Sequence, residues 1–185
     1  MTSPHSFADT LSAAASGQEW ALAALYRESH PGLLRYLRVM EPGDADDLAS
    51  ETWLDVAGSL VRFQGDEPQF RAWLFTIARR RVIDLRRSRS RRRTEPVDPG
   101  LIPSVGAIAD AADEAMQRMS SEEALGRVAA LPPDQAEVVL LRVLGGLDVK
   151  DVARIVDKRP GAVRALQHRG LKRLSRTLSR EPVTE

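Results

Sequence analysis

The chain has 185 residues, of which 43% are apolar and 29% charged, and its net charge at pH 7 is +1. This length and apolar content suit one domain of average size or two small ones, each with its own core. There is no cysteine, which excludes disulfides and zinc–sulfur sites. The N-terminus lacks a basic start and an apolar run, and no stretch approaches the roughly 20 apolar residues that span a bilayer. We therefore expect a cytoplasmic protein without a membrane segment.

Helical periodicity dominates the chain and predicts an all-α fold of two small helical domains joined by a flexible linker. In chain order, a flexible N-terminus (1–17) precedes a first domain (18–90). This domain is predicted to begin with one or two helices over 18–36, broken near Pro31 and Gly32, and a turn at 41–43. A helix from Ala45 to about Val61, capped by Asp44, follows, and then a loop over 62–67 and a helix over about 69–87. A Pro-rich linker (91–119) joins the first domain to a second domain (120–180), and a tail (181–185) follows. The second domain is predicted to contain a helix through Ala130, a helix capped by Asp134 that ends at Leu144, and a helix-turn-helix over 149–174.

The helix-turn-helix ends in a cationic helix. Pro160 suits the first position of this second helix, and Asp157 in the turn tolerates a left-handed backbone better than most residues. Residues 158–180 contain eight Lys or Arg and no Asp or Glu. Such a helix fits the phosphate-lined major groove of DNA, and the alternative is an ordinary solvated basic face. Its predicted inward residues are Val163, Leu166, Gly170 and Leu174, and its predicted outward residues are Arg164, Ala165, His168, Arg169 and Lys172.

Charge is divided into zones along the chain. Residues 1–60 carry nine acids and three bases, and residues 79–93 carry nine Arg and one acid. Residues 94–125 are acidic again, and residues 158–180 form the second basic block. Two basic surfaces on one chain indicate two contacts with one polyanion. The acidic zones would bind a basic protein or limit non-specific binding by shielding.

The stretch between residues 63 and 75 combines aromatic side chains with a following run of arginine. A protein that captures unstacked bases needs aromatic platforms and cations in this order. Phe70 and Trp73 at helical spacing are nevertheless more typical of a packed core. In the preceding loop, Gly65 frees the backbone, and the polar side chains Gln64 and Asp66 are able to read base edges.

Four segments in a fixed order resemble the sigma-70 family, and specifically the small extracytoplasmic-function (group 4) sigma factors of bacterial RNA polymerase. They are DADDLASET (44–52), FRAWLFTIAR (70–79), LPP (131–133) followed by VVLLR (138–142), and GAVR (161–164) through HRGL (168–171). The resemblance covers about Trp20 to Ser175. Two positions depart from the family pattern: Arg80 stands where Asn is frequent, and Asp157 stands where Gly is frequent.

The resemblance implies a promoter-specificity factor with no catalytic residue, metal or cofactor. Its implied partners are core RNA polymerase, through the coiled coil and the flap, promoter DNA, and an anti-sigma factor. The implied core-binding residues are Asp44, Asp47, Leu48, Glu51 and Asp55. The implied −10 DNA-binding residues are Arg62, Gln64, Asp66, Trp73, Arg79, Arg80, Arg86 and Arg87. The implied −35 DNA-binding residues are Arg159, Gly161, Arg164, Ala165, His168, Arg169 and Lys172.

Two other functions stay open at this stage. A nuclease would need carboxylates and histidine beside the basic blocks, but the three histidines are scattered at positions 5, 30 and 168. Asp47 and Glu51, four residues apart, could share a cation, although no third ligand is suggested. A helix-turn-helix regulator would bind duplex DNA without polymerase, and would use its N-terminal half to sense a ligand or to dimerise.

Overall fold

The structure is a computed structural model that describes residues 6–92 and 122–178. Every regular element in these two ranges is helical, as the sequence predicts. The predicted linker, except for its first two residues, and the predicted tail lie outside the described residues. The elements are α1 (Phe7–Ala15), α2 (Glu19–Met40), α3 (Ala45–Ser59) with a 3-10 turn (Leu60–Arg62), α4 (Glu67–Arg92), α5 (122–129), α6 (Pro133–Val143), α7 (Val149–Ile155) and α8 (Pro160–Leu178).

Helix α1 lies where the sequence predicted a flexible segment, so that prediction is wrong for the described residues before α2. Ser6 and Asp9 form a capping box, in which each side chain binds the other residue's backbone N–H. Leu11 and Ala14 are buried against the neighbouring helices. The ring of Phe7 also lies 5.8 Å from that of Phe70 in α4. Capping and burial together stabilise a helix too short to form alone.

Helix α2 is continuous, so the predicted break near Pro31 is wrong. Proline removes one helical hydrogen bond, but the helix buries apolar side chains on both sides of it, including Leu25 and Leu33. Gly32 is needed for close packing rather than for a turn, because a Cβ there would lie 3.1 Å from the carbonyl oxygen of Leu144. This contact is distant in sequence, and local patterns do not reveal it.

Helix α4 continues to Arg92, five residues beyond its predicted end. Arg86 and Arg89 form ion pairs with Glu41, in the turn between α2 and α3. Arg89 also pairs with Asp44, whose side chain makes no capping hydrogen bond. Asp44 thus occupies the N-cap position of α3 as predicted, but its carboxylate faces this arginine instead of making the capping hydrogen bond. Ion pairs thus hold the C-terminal part of α4 to the turn between α2 and α3.

The second module contains the predicted helix-turn-helix, formed by α7 and α8. Asp148 caps α7, Asp157 in the turn has a φ of 52°, and Pro160 begins α8. The predicted cap at Asp134 is wrong, because Pro132 occupies the N-cap of α6 and the Asp134 carboxylate lies 3.0 Å from Lys158 Nζ.

The two modules share one apolar core. Helices α6 and α7 contact α2 and α4, and buried residues of both modules, such as Leu37 and Leu141, belong to the same cluster. The sequence predicted two separate domains, because an apolar residue at a module boundary has the same periodicity as one inside a module.

Candidate nucleic-acid and polymerase interface

All predicted −35 residues are exposed to solvent: Arg159 lies just before α8, and the outer face of α8 presents Gly161, Arg164, Ala165, His168, Arg169 and Lys172. Its inner face buries Val163 and Leu166 against the rest of the module, as predicted. Gly170 also faces inward, where a Cβ would lie 2.9 Å from Val139 Cγ2. Close packing on one side and cationic exposure on the other give α8 the form of a groove-reading helix.

Arg142 fixes how α8 sits on α6, and the sequence did not single it out. Its Nε donates to Gln167 Oε1 in α8 at 3.3 Å. Its Nη1 donates to the carbonyl oxygen of Leu147, before α7. One guanidinium of α6 thus binds both α8 and the loop before α7. Nothing in the sequence distinguishes this arginine, which binds within the protein, from the arginines expected to bind DNA.

Hydrogen bonds fix both ends of α7, the first helix of the helix-turn-helix. The backbone N–H of Asp151 donates to Asp148 Oδ1 at 2.7 Å, and this hydrogen bond lowers the pKa of the Asp148 carboxyl. The backbone N–H of Lys158 donates to the carbonyl oxygen of Ala153 at 3.0 Å. Because Asp157 has a left-handed backbone, the chain reverses direction between the helices without glycine.

The loop before α4 is preorganised by a capping box. Asp66 accepts from the backbone N–H of Gln69 at 2.9 Å, and its own backbone N–H donates to Gln69 Oε1 at 2.9 Å. The Asp66 carboxylate is therefore occupied in part by helix capping, which the sequence analysis did not foresee. Gln64 is exposed. Glycine at position 65 leaves space for neighbouring side chains, because a Cβ there would lie 2.6 Å from Gln69 Oε1 and 2.9 Å from Phe63 Cζ. This close packing, and not backbone freedom, accounts for the glycine.

The aromatic side chains beside this loop form a cluster. Phe70 is buried, as the packed-core interpretation of this residue predicts. Trp73 is only partly buried, and its ring stacks on Phe63 at 4.8 Å between centroids. The exposed part of Trp73 lines a groove together with Leu54, Arg62 and Arg80. Aromatic surface and two cations therefore meet in one groove, which is also lined by Asp55, the ion-pair partner of Arg80.

The predicted cationic and acidic sites overlap. Arg81 binds Asp55 through two nitrogens, at 2.6 and 2.8 Å, and Glu51 at 3.2 Å. Arg80 also reaches Asp55, at 3.3 Å. The Arg81 hydrogen bonds hold the pKa of Asp55 below its ordinary value, and the Asp55 carboxylate raises the pKa of Arg81. Arg81, one of the nine arginines of the first basic block, thus pairs two predicted core-binding acids within the protein.

The remaining predicted arginines of α4 point in different directions. Arg79 binds Glu137 of α6 at 2.8 Å, and Arg86 binds the turn before α3, where it also donates to the carbonyl oxygen of Met40. Arg62 and Arg87 are exposed, and neither has an ion-pair partner in the described ranges. The structure therefore does not gather all the predicted −10 cations on one face.

The outer face of α3 is acidic at one end and apolar at the other. Asp47 and Glu51 are exposed there, whereas Leu48 is buried with 4% of its surface accessible. Leu48 therefore packs the core, and its prediction as a contact residue is wrong. Leu54 and Val61, which are 73% and 75% exposed, extend the face toward the loop. Sequence reasoning missed both, although their seven-residue spacing already places them on one side of a helix.

Neither a metal cluster nor a bilayer-spanning helix occurs within residues 6–92 and 122–178. The carboxylates and histidines described there form no group of three able to hold a cation. None of the helices in these ranges combines the length and the apolar character needed to cross a membrane.

Comparison with known proteins finds the same two modules. The family model of sigma-70 region 2 matches residues 25–92, and that of sigma-70 region 4 matches residues 112–174. The chain is 35% identical over 167 residues to the ECF RNA polymerase sigma factor BldN of Streptomyces coelicolor, which covers 89% of this chain and 63% of BldN. It thus spans less than two thirds of that relative. It is 34% identical over 170 residues to the ECF sigma factor ShbA of Streptomyces griseus, covering 87% of this chain and 89% of ShbA.

Two solved structures share the fold. CnrH in complex with the cytosolic domain of CnrY has a TM-score of 0.61 and 23% identity, and covers 94% of this chain and 97% of CnrH. The sigma factor RpoE in complex with the anti-sigma factor NepR from Bartonella quintana has a TM-score of 0.65 and 21% identity, and covers 86% of this chain and 98% of RpoE.

Proposed function

Because this chain belongs to the extracytoplasmic-function sigma factors of the sigma-70 family, we propose that it binds core RNA polymerase, recognises −35 and −10 promoter elements and promotes DNA opening. The first module, over 18–90 and extended by α1, binds core polymerase and the −10 element. The second, over 120–180, binds the −35 element. We assign no catalytic step to either module, and place the protein in the cytoplasm with the polymerase.

The single observation that carries this proposal is the exposed cationic face of α8. Arg164 and Lys172 both project from this face. Arg164 lies in the part of α8 nearest the turn, where a recognition helix contacts base edges, and Lys172 lies two turns further along. Arg164→Ala should weaken specific binding by about 1–3 kcal/mol and relax preference at one −35 position. Lys172→Ala should weaken binding to all DNA sequences alike, and should lower by about one the slope of the logarithm of the binding constant against the logarithm of the salt concentration.

Opening of the −10 region is assigned to the loop before α4 and the groove beside it. Gln64 and the free lone pairs of Asp66 are available for a base edge, and Trp73 offers an aromatic surface. Arg62, Arg80 and Arg87 are exposed and would hold the strand backbone. Unstacking a base costs a few kcal/mol, so a pocket that holds the base is needed.

Binding of core polymerase is assigned to the outer face of α3. Asp47 and Glu51 supply negative charge for a basic coiled coil, and Leu54 and Val61 supply apolar surface next to it. Asp44 and Asp55 flank this face, although arginines of α4 already neutralise them. An acidic rim around an apolar patch is a common form of protein interface. One fold neighbour, RpoE, is bound to the anti-sigma factor NepR, and we include an anti-sigma factor among the partners of this chain.

The test asks whether specific DNA binding requires polymerase. Promoter fragments would be selected from genomic DNA with the purified chain, with core polymerase, and with both together. We expect specific retention only with both, sensitive to Arg164→Ala. Tight specific binding by the chain alone would instead support a regulator that acts without polymerase, the second candidate, which the exposed α8 also suits.

A further inference from the structure

The Asp55 carboxylate of α3 binds two neighbouring arginines of α4. Arg81 donates to it from Nη2 at 2.6 Å and from Nε at 2.8 Å. Arg80 donates to it from Nη2 at 3.3 Å. The Asp55 side chain is 25% exposed, whereas that of Arg80 is 65% exposed. A partly enclosed carboxylate therefore holds one end of a guanidinium group whose side chain mostly faces solvent.

The two arginines differ in the donors that they leave available. Arg81 also binds Glu51 through Nη1 at 3.2 Å, so all three of its guanidinium nitrogens bind within the protein. Arg80 binds Asp55 through one nitrogen. A guanidinium is planar and presents its donors as a rigid fork, so binding one nitrogen restricts the direction in which the others point. Arg80 is therefore the arginine of this pair that offers oriented donors to a ligand.

The groove that Arg80 lines has room for one nucleobase. Its volume is about 480 Å³, within the range of small-molecule sites. Trp73 supplies aromatic surface, and Leu54 and Ile77 supply apolar walls. A phosphate in this groove would lie beside the negative charge of Asp55, whereas a base brings a flat aromatic face and no charge. The lining therefore suits a base better than a phosphate.

We propose, as an extension that rests on the proposed function, that Asp55 is a positioning residue and that Arg80, aimed by it into the groove, reads an unpaired guanine of the opened −10 strand. Guanine presents two acceptors, O6 and N7, which match two guanidinium N–H groups. Without Asp55, Arg80 would be a mobile cation that binds the nearest phosphate and carries no base preference. Arg62 and Arg87 remain exposed to hold the strand backbone.

Replacing one atom of the base tests this contact directly. Core polymerase with the full chain would first select strands from a pool of single-stranded DNA that is randomised over a short window. Guanine at each enriched position would then be replaced by 7-deazaguanine, which carries a C–H group in place of the N7 acceptor.

The chains compared are the parent, Asp55→Asn, Arg80→Ala and the double variant, each with enough core polymerase to saturate it. Asp55→Asn keeps the shape of the side chain and removes its charge. Asp84→Asn is the matched control, because Asp84 is an exposed acid of α4 whose charge also acts on Arg81. Binding is measured at a temperature at which circular dichroism shows the same helix content for every chain.

We expect the parent and Asp84→Asn to bind guanine about tenfold more tightly than 7-deazaguanine at one position. Asp55→Asn and Arg80→Ala should each remove most of this difference. The double variant should behave like Arg80→Ala alone, because Asp55 acts through Arg80. A merely structural role of Asp55 would instead weaken the binding of both strands alike.

Two results would overturn the role of Asp55 and leave the proposed function standing. One is equal binding of guanine and 7-deazaguanine by the parent at every selected position, and the other is an undiminished difference in Asp55→Asn. A parent complex that retains no strand from the pool would contradict the proposed function itself, and the role of Asp55 with it.

Discussion

Replacing Gly170 by alanine tests the packing of the recognition helix. Alanine is favoured over glycine inside a helix by about 1 kcal/mol, so propensity alone predicts stabilisation. Packing predicts the opposite, because the new Cβ would lie 2.9 Å from Val139 Cγ2 and 3.5 Å from Leu131 Cδ1. Val139 is buried and branched at Cβ, so it has little freedom to turn away. Overpacking of this kind costs about 1–3 kcal/mol. The larger penalty should exceed the gain, giving a net loss of up to about 2 kcal/mol.

Gly126→Ala is the matched control for this substitution. Gly126 lies in α5 of the same module, and nothing lies within 4 Å of its added Cβ. It should therefore show the propensity gain of up to about 1 kcal/mol without the clash. Thermal unfolding should separate the two variants by several degrees, since each kcal/mol shifts the midpoint by about 2–4 °C at this size. Equal stabilisation by both variants would refute the close packing of α8 on α6.

Three further predictions concern single polar groups. Asp66→Ala should remove the α4 cap and lower stability by about 1 kcal/mol, whereas Asp66→Asn should preserve it; equal thermal midpoints would contradict the capping box. The pKa of Asp55 is held below its ordinary value of 3.8 in the folded protein. Its contribution to the free energy of unfolding is therefore fully present above pH 3.8 and is lost as the pH falls through the lowered, native pKa. Urea titrations should show a shallower acid loss for Asp55→Asn, and an unchanged slope would contradict this. Arg142→Lys should weaken −35 binding in mobility-shift assays, because a lysine ammonium does not reproduce the two separate guanidinium donors that bind Gln167 and the carbonyl oxygen of Leu147; unchanged affinity would contradict its positioning role.

The helix-turn-helix could be predicted from the sequence, because the residues that indicate it are close together in the chain. Pro160, the apolar residues Val163 and Leu166, and the acid-free outer face each follow from periodicity and composition, and the structure confirms the burial pattern. Asp157 likewise adopts the left-handed backbone that its side chain tolerates.

Features that depend on contacts between residues far apart in the sequence could not be predicted. Neither Asp44, which is the N-cap of α3, nor Asp134 makes the expected side-chain capping bond, because each carboxylate meets a cation far along the chain, Arg89 and Lys158 respectively. Glu137, in a segment that reads as an ordinary amphipathic helix, has its partners 58 and 101 residues away. Sequence periodicity places a residue on a face of its helix but does not say which helix that face meets.

Promoter opening is the central claim, and permanganate reactivity of unpaired thymines measures it most directly. The parent chain and a double variant, Gln64→Ala with Asp66→Asn, would each be assembled with core polymerase on a promoter selected by the parent complex. Asn at position 66 retains the helix cap, so only base capture is altered. We predict polymerase-dependent reactivity near −10 for the parent, and closed-complex binding with lost or relocated reactivity for the variant. No polymerase-dependent reactivity in the parent would contradict a role in opening DNA, and identical reactivity in both would contradict base capture by this loop.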